Sequence, residues 1–154
     1  MSFHKILVPT DGTPRSEQAA QKAIALAQGL GIPLVAVHVT PPFHSFTFRP
    51  QLLLTYRVTL RDDSEEGYTT AVAAAAEQVL ASVRSAAQAA KVECATHQLS
   101  ADEPWSAILD AAKKFGCDLI VMASHGHHGI GALVLGSETQ KVLMHSDTPV
   151  VVCR

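Results

Sequence analysis

Residues 118–142 read DLIVMASHGHHGIGALVLGSETQKV, and this stretch decides the fold. Asp118 to Ala123 carries a continuous apolar run, which suits a strand covered on both faces. Gly126, Gly129 and Gly131 follow at positions where a chain can turn sharply and approach a bound group closely. Gly136 and Ser137 then open a helix running to about His145, with Gln140 three residues after Ser137 in capping-box spacing. Unpaired amides at a helix start attract anions, and glycines remove the side chains that would obstruct them. The loop matches neither G-x-x-x-x-G-K-[ST] nor G-x-G-x-x-G. Taken alone, it suits equally a phosphate cradle or a long strand-to-helix connection that needs flexible residues.

Outward from this stretch, strands and helices alternate. Lys5 to Val8 is a short apolar run ending at Pro9. Thr13 and Pro14 form a helix cap followed by proline at the first helical position. Ala19, Ala20, Ala23, Ile24 and Ala27 recur at helical spacing, and Gly29 and Gly31 stop that helix. Pro33 to Thr40 is rich in β-branched residues and predicts a second strand. Ser64 to Lys91 predicts the longest helix, and Val92 to Leu99 a third strand. Asp102 and Glu103 are candidate caps for a helix starting near Pro104, whose stripe (Trp105, Ile108, Leu109, Ala112, Phe115) ends at Gly116. Pro149 to Cys153 closes the series as a fifth strand. Such alternation implies an α/β fold with a parallel sheet and helices on both faces. Ligands bind such sheets beyond the carboxyl ends of the strands, where the winding reverses. Pro9-Thr10-Asp11, His38-Val39 and the glycine loop should meet there, which raises the phosphate reading above the alternative.

Composition frames this expectation. The chain has 154 residues, 47% hydrophobic and 17% charged, which suits one globular domain over residues 1–154. A formal net charge of −2 provides no general attraction to nucleic acid or to an anionic membrane, so any phosphate affinity must be local. Cys94, Cys117 and Cys153 lack metal or redox spacing and read as small hydrophobes in a reducing compartment. With neither a signal-peptide pattern nor a run of roughly 20 apolar residues, a cytoplasmic location is expected.

At these residues the chain resembles the universal stress protein family over nearly its whole length. Ile6–Ala19 (ILVPTDGTPRSEQA) is similar to the family's opening, LVAVHV to its second strand, and the run from Asp118 to Val152 to its closing third. The resemblance implies an open five-stranded parallel sheet in the Rossmann-like order 3-2-1-4-5, and a homodimer. Its ATP-binding branch carries G-x2-G-x9-G-[ST]. Gly126, Gly136 and Ser137 match at the right spacing, while Ala123 replaces the first glycine. One extra methyl group is tolerated unless that position needs a positive φ.

Carried over by position, the resemblance puts Pro9, Thr10 and Asp11 near ribose and phosphates and Val39 against adenine. Met122, Ala123, His125 and Gly126 would line the ribose and phosphate side. Gly136, Ser137, Glu138 and Thr139 would present the helix start to the phosphates, with hydroxyls offered by Ser137 and Thr139. ATP is the expected ligand, with Mg2+ as a candidate bridging ion.

His125, His127 and His128 lack the partners of a metal site and read as flexible-loop histidines at the ligand mouth. Partial charge on His127 and His128 would make phosphate affinity rise as pH falls from about 7.5 to 6. Ser124 and His125, being sequence neighbours, do not suggest a nucleophile–base pair. Pro149 to Cys153, at a sheet edge, suits pairing with a second copy, the alternative being an edge covered by the chain's own helices. Pro41 to Asp63 is expected to be irregular and to serve as a lid, a subunit contact or a docking surface. The expected function is an ATP-dependent regulator in stress response, its protein partner unspecified. The rivals are a dimeric interaction module of the same family that binds no nucleotide, and a slow ATP hydrolase.

Overall fold

The computed structural model describes residues 2–125 and 134–154. Among them the chain runs β1 (Ile6–Pro9), α1 (Pro14–Leu30), β2 (Leu34–Thr40), α2 (Phe43–Phe48), α3 (Leu52–Thr55) and α4 (Glu65–Ala89), then β3 (Cys94–Ser100), α5 (Pro104–Phe115), β4 (Leu119–Ala123), α6 (Ser137–His145) and β5 (Val150–Cys153). All strand pairs are parallel, and the sheet order is β3-β2-β1-β4-β5. The expected α/β architecture and strand order are therefore present.

Alternation along the strands divides the core into two layers. Ile6, Val8, Leu34 and Ala36 face Ala20, Ile24, Leu80 and Val83, so α1 and α4 cover one side. Leu7, Val35, Val37 and Ile120 face Ile108, Ala111 and Val142, so α5 and α6 cover the other. Every residue of β2 and of β4 is buried, as strands covered on both faces must be.

Local chemistry sets the helix ends. Thr13 caps α1 by accepting the Ser16 amide, Pro14 occupies the first turn, and Gly31 ends the helix at φ 67°. Gly29 lies within α1 rather than stopping it. Ser64 caps α4 through the Gly67 amide at 2.9 Å. At α6 the expected capping box is absent. Gly136 is the cap residue, Ser137 is the first helical residue, and Gln140 Nε2 donates to the Leu135 carbonyl at 2.7 Å. The reason lies one residue upstream: the Gly136 amide donates to the Ser124 carbonyl at 2.8 Å, which fixes where the helix begins. Glu103 occupies the cap position of α5 without a side-chain cap bond. The Trp105 amide is taken instead by Glu138 Oε2, at 2.8 Å, from the start of α6.

Residues 41–63 are not wholly irregular, since α2 and α3 form inside them. Neither helix is long enough to persist alone. Phe46 and Val58 pack with Tyr68 and Val72 of α4, joined by Phe43, Leu53 and Leu60. The Phe46 and Tyr68 rings stack at 5.0 Å, and the Tyr68 hydroxyl donates to the Pro41 carbonyl at 2.6 Å. Packing on α4, rather than local propensity, holds this segment.

Candidate functional site

Beyond the carboxyl ends of β1, β2 and β4 lies a cavity of about 310 Å3. Its position follows from topology. Connections leave β1 and β4 toward opposite faces of the sheet, so the chain parts between them. Pro9, Thr10, Asp11, Val39, Met122, Ala123, His125, Gly136, Ser137, Glu138 and Thr139 all line it. Of the residues expected at the site, Gly126 lies outside the described residues, as do His127 and His128. His38 does not line the cavity. It is buried, and its Nδ1 donates to the Thr10 carbonyl at 2.7 Å, bracing the loop after β1.

One wall is apolar, made by Val37, Val39, Ile108 and Met122. The lining also includes the start of α6, where the amides of Ser137, Glu138 and Thr139 have no intrahelical acceptor. Thr139 differs from expectation. Its buried hydroxyl donates to the Ala123 carbonyl at 3.0 Å, so the proton is spent tying α6 to β4. Ala123 is the last residue of β4, and the non-glycine residues with positive φ among those described are Arg57 and Lys91. The position therefore does not require glycine's conformational freedom.

The carboxylates at the cavity have internal roles. Asp11 Oδ1 accepts from the Thr13 amide at 3.0 Å and from the Thr13 hydroxyl at 2.6 Å, folding the turn before α1. Glu138 holds the start of α5, as described. Asp102 accepts from His44 Nε2 at 3.0 Å and from the Ser45 hydroxyl, clasping α2 to the loop after β3. The Ser45 hydrogen bond, then that of His44, holds the Asp102 carboxyl below the usual carboxylate range.

Sequence reasoning missed the contribution of residues 41–63 to this site. Pro41, Arg49, Leu52 and Tyr56 line the cavity, and Arg49 brings a cation to it. Burial, then the nearby Asp11 and Glu138 carboxylates, pushes the Tyr56 hydroxyl's pKa up, so it stays protonated. No pattern marked these residues, because α2 and α3 take their shape from α4. A smaller cavity of about 150 Å3 adjoins the first and shares Asp11 and Tyr56 with it.

His125 is 4% exposed, so it is not a flexible-loop histidine. Arg15 Nη1 lies 2.8 Å from its Nδ1, and the Ser124 hydroxyl lies 2.9 Å from the same nitrogen. The Ser124 and His125 side chains are thus in hydrogen-bond contact. Arg15 occupies the nitrogen that would have to receive the serine proton, so the contact does not make a nucleophile–base pair.

An open parallel sheet with a cavity at its winding reversal, lined by apolar side chains and by a helix start, defines a doubly wound α/β domain with a candidate ligand site. The profile of the universal stress protein family matches residues 2–154, and the chain belongs to that family. A universal stress protein of Thermus aquaticus is 31% identical over 152 residues, covering 99% of both chains. A universal stress protein of Archaeoglobus fulgidus, solved in complex with dAMP, superimposes with a TM-score of 0.68 at 21% identity, covering 100% of both chains. A universal stress protein solved in complex with cAMP gives a TM-score of 0.67 at 19% identity, covering 100% of this chain and 98% of that one. Among the described residues, no helix is long and apolar enough to cross a membrane.

Proposed function

We propose that this universal stress protein binds an adenine nucleotide, with ATP as the ligand, in the cavity beyond β1, β2 and β4. The observation that carries the reading is that one cavity is lined both by apolar side chains and by a helix start. Val39 and Met122 offer an apolar surface for the base, and the first-turn amides of α6, which have no intrahelical acceptor, offer an anion site for phosphates. The volume of about 310 Å3 suits a small molecule. Relatives that share the fold have been solved with dAMP and cAMP, which supports an adenine nucleotide here. Engagement of the Asp11, Asp102 and Glu138 carboxylates within the fold leaves charge balance at the phosphates to the amides, Arg49 and a divalent ion such as Mg2+.

Binding would act as a regulatory signal through residues 41–63, because Pro41, Arg49, Leu52 and Tyr56 belong both to the cavity wall and to that segment. A homodimer is part of the same reading. Among the described residues β5 pairs with β4 alone, and Val151 is 42% exposed on that edge strand. Pairing with a second copy would cover it.

Ala123 is the residue that favours the rival, an interaction module without nucleotide, since it departs from the motif. Its extended backbone weakens that objection. Mass spectrometry and ultraviolet absorbance of ligand released from freshly purified protein test the choice. An adenine nucleotide near one per chain is expected. Protein that carries none, and acquires none on incubation with ATP and Mg2+, would favour the interaction module.

A further inference from the structure

Arg15 sits in the first turn of α1 and His125 just after β4, and their side chains meet at 2.8 Å through Arg15 Nη1 and His125 Nδ1. A guanidinium is donor-only and keeps its charge. His125 Nδ1 must therefore accept. The Ser124 hydroxyl, 2.9 Å from the same nitrogen, is a second donor to it. An imidazole whose Nδ1 accepts carries its proton on Nε2. That Nε2 is buried and has no hydrogen-bond partner among the described residues. His125 also lines the cavity. A buried donor without an acceptor is a standing cost to the fold, and a ligand in the adjoining space can remove it.

We propose that His125 Nε2–H is a preset hydrogen-bond donor to a phosphate oxygen of the ligand, and that Arg15 is the positioning residue that sets the ring's tautomer. This rests on the nucleotide reading and adds to it the group that selects phosphorylated ligands. Two features favour phosphate over a sugar hydroxyl or a base nitrogen. The Arg15 charge stands directly behind the ring, and the α6 amides line the same cavity, so the potential there favours a negatively charged acceptor. Arg15 acts through the ring, as an outer partner of a metal-bound histidine fixes its tautomer.

The test has two arms. Imidazole 15N NMR of ligand-free protein, with His125 assigned by comparison with His125→Gln, reads the tautomer. Wild type should show protonated Nε2 and bare Nδ1, and Arg15→Met should show a mixture. Equilibrium dialysis then compares ATP with Mg2+ against adenosine, which has no phosphate. In His125→Asn the donor at the Nε2 position is gone, and ATP affinity should fall roughly 10- to 100-fold, while adenosine changes less than about twofold. His125→Gln, whose amide nitrogen reaches the Nε2 position, should recover most of the loss.

Protonated Nδ1 in the wild type, or equal losses for ATP and adenosine, overturns the inference. Wild type that binds neither compound overturns the nucleotide reading instead. Should His125→Asn fail to fold, Arg15→Met carries the test, because Arg15 is exposed on the helix surface. Unchanged ATP affinity together with an unchanged tautomer in that variant would end the proposal.

Discussion

Replacing Gly136 with valine should abolish nucleotide binding and leave the fold intact. Gly136 caps α6 at φ −59° and ψ 150°, a conformation that valine adopts without strain. Its amide remains bonded to the Ser124 carbonyl, so the backbone stays in place. Gly136 lines the cavity immediately before the amides of Ser137, Glu138 and Thr139, so a valine there adds bulk at the helix start where phosphates would sit. Loss of two charge-assisted hydrogen bonds there, at about 1.5–3 kcal/mol each, weakens binding roughly 100-fold or more. The cost to the fold is smaller, about 0.5–1 kcal/mol for a β-branched residue at a helix cap.

Calorimetric melting separates the two effects. At an ATP concentration 100 times the wild-type Kd, ligand should stabilise wild type by about 2.7 kcal/mol. With affinity reduced 100-fold, the variant should gain only about 0.4 kcal/mol at the same concentration. A folded Gly136→Val protein that gains as much as wild type would refute the assignment of the anion site to the start of α6.

Three further outcomes are expected. Gly12 lies at φ 78°, and a Cβ there would stand 2.9 Å from a Val79 methyl, so Gly12→Ala should destabilise by about 1–2 kcal/mol in urea denaturation. Tyr68→Phe leaves the Pro41 carbonyl without its donor. It should cost about 1–2 kcal/mol and speed hydrogen exchange in residues 41–63. Burial would raise the Asp118 pKa, but the His4 and Lys5 amides and the His4 ring outweigh it and hold the carboxyl at about 2. Because the folded pKa is depressed, its contribution is complete above about pH 4 and is lost as pH falls toward 2. With the side chain 39% exposed, solvent screening reduces that contribution to about 1–2 kcal/mol. Asp118→Asn should therefore be less stable than wild type at pH 7, and the two should converge near pH 2.

The parallel sheet and its order were legible because the controlling signals are local. Thr13 with Pro14 opens α1, Gly31 and Gly116 close their helices in the left-handed region, and β4 is apolar at every position. The residues around the cavity were legible through the resemblance and through the rule that ligands sit at a winding reversal. Details that depend on tertiary contacts were not. The Gly136–Ser124 bond moved the cap of α6 off Ser137, and the Thr139 hydroxyl went to the Ala123 carbonyl. Residues 41–63 carry no helical period, so their place in the cavity wall emerges only once Tyr68 and Phe46 stack. Arg15 and His125 lie 110 positions apart, and nothing in either neighbourhood marks them as partners.

Isothermal titration of the wild-type protein with ATP in the presence of Mg2+ bears most directly on the central claim. One nucleotide per chain is expected, with release of heat that is lost in Gly136→Val. No heat across the titration, or binding that Gly136→Val leaves untouched, would contradict the claim that this cavity is a nucleotide site.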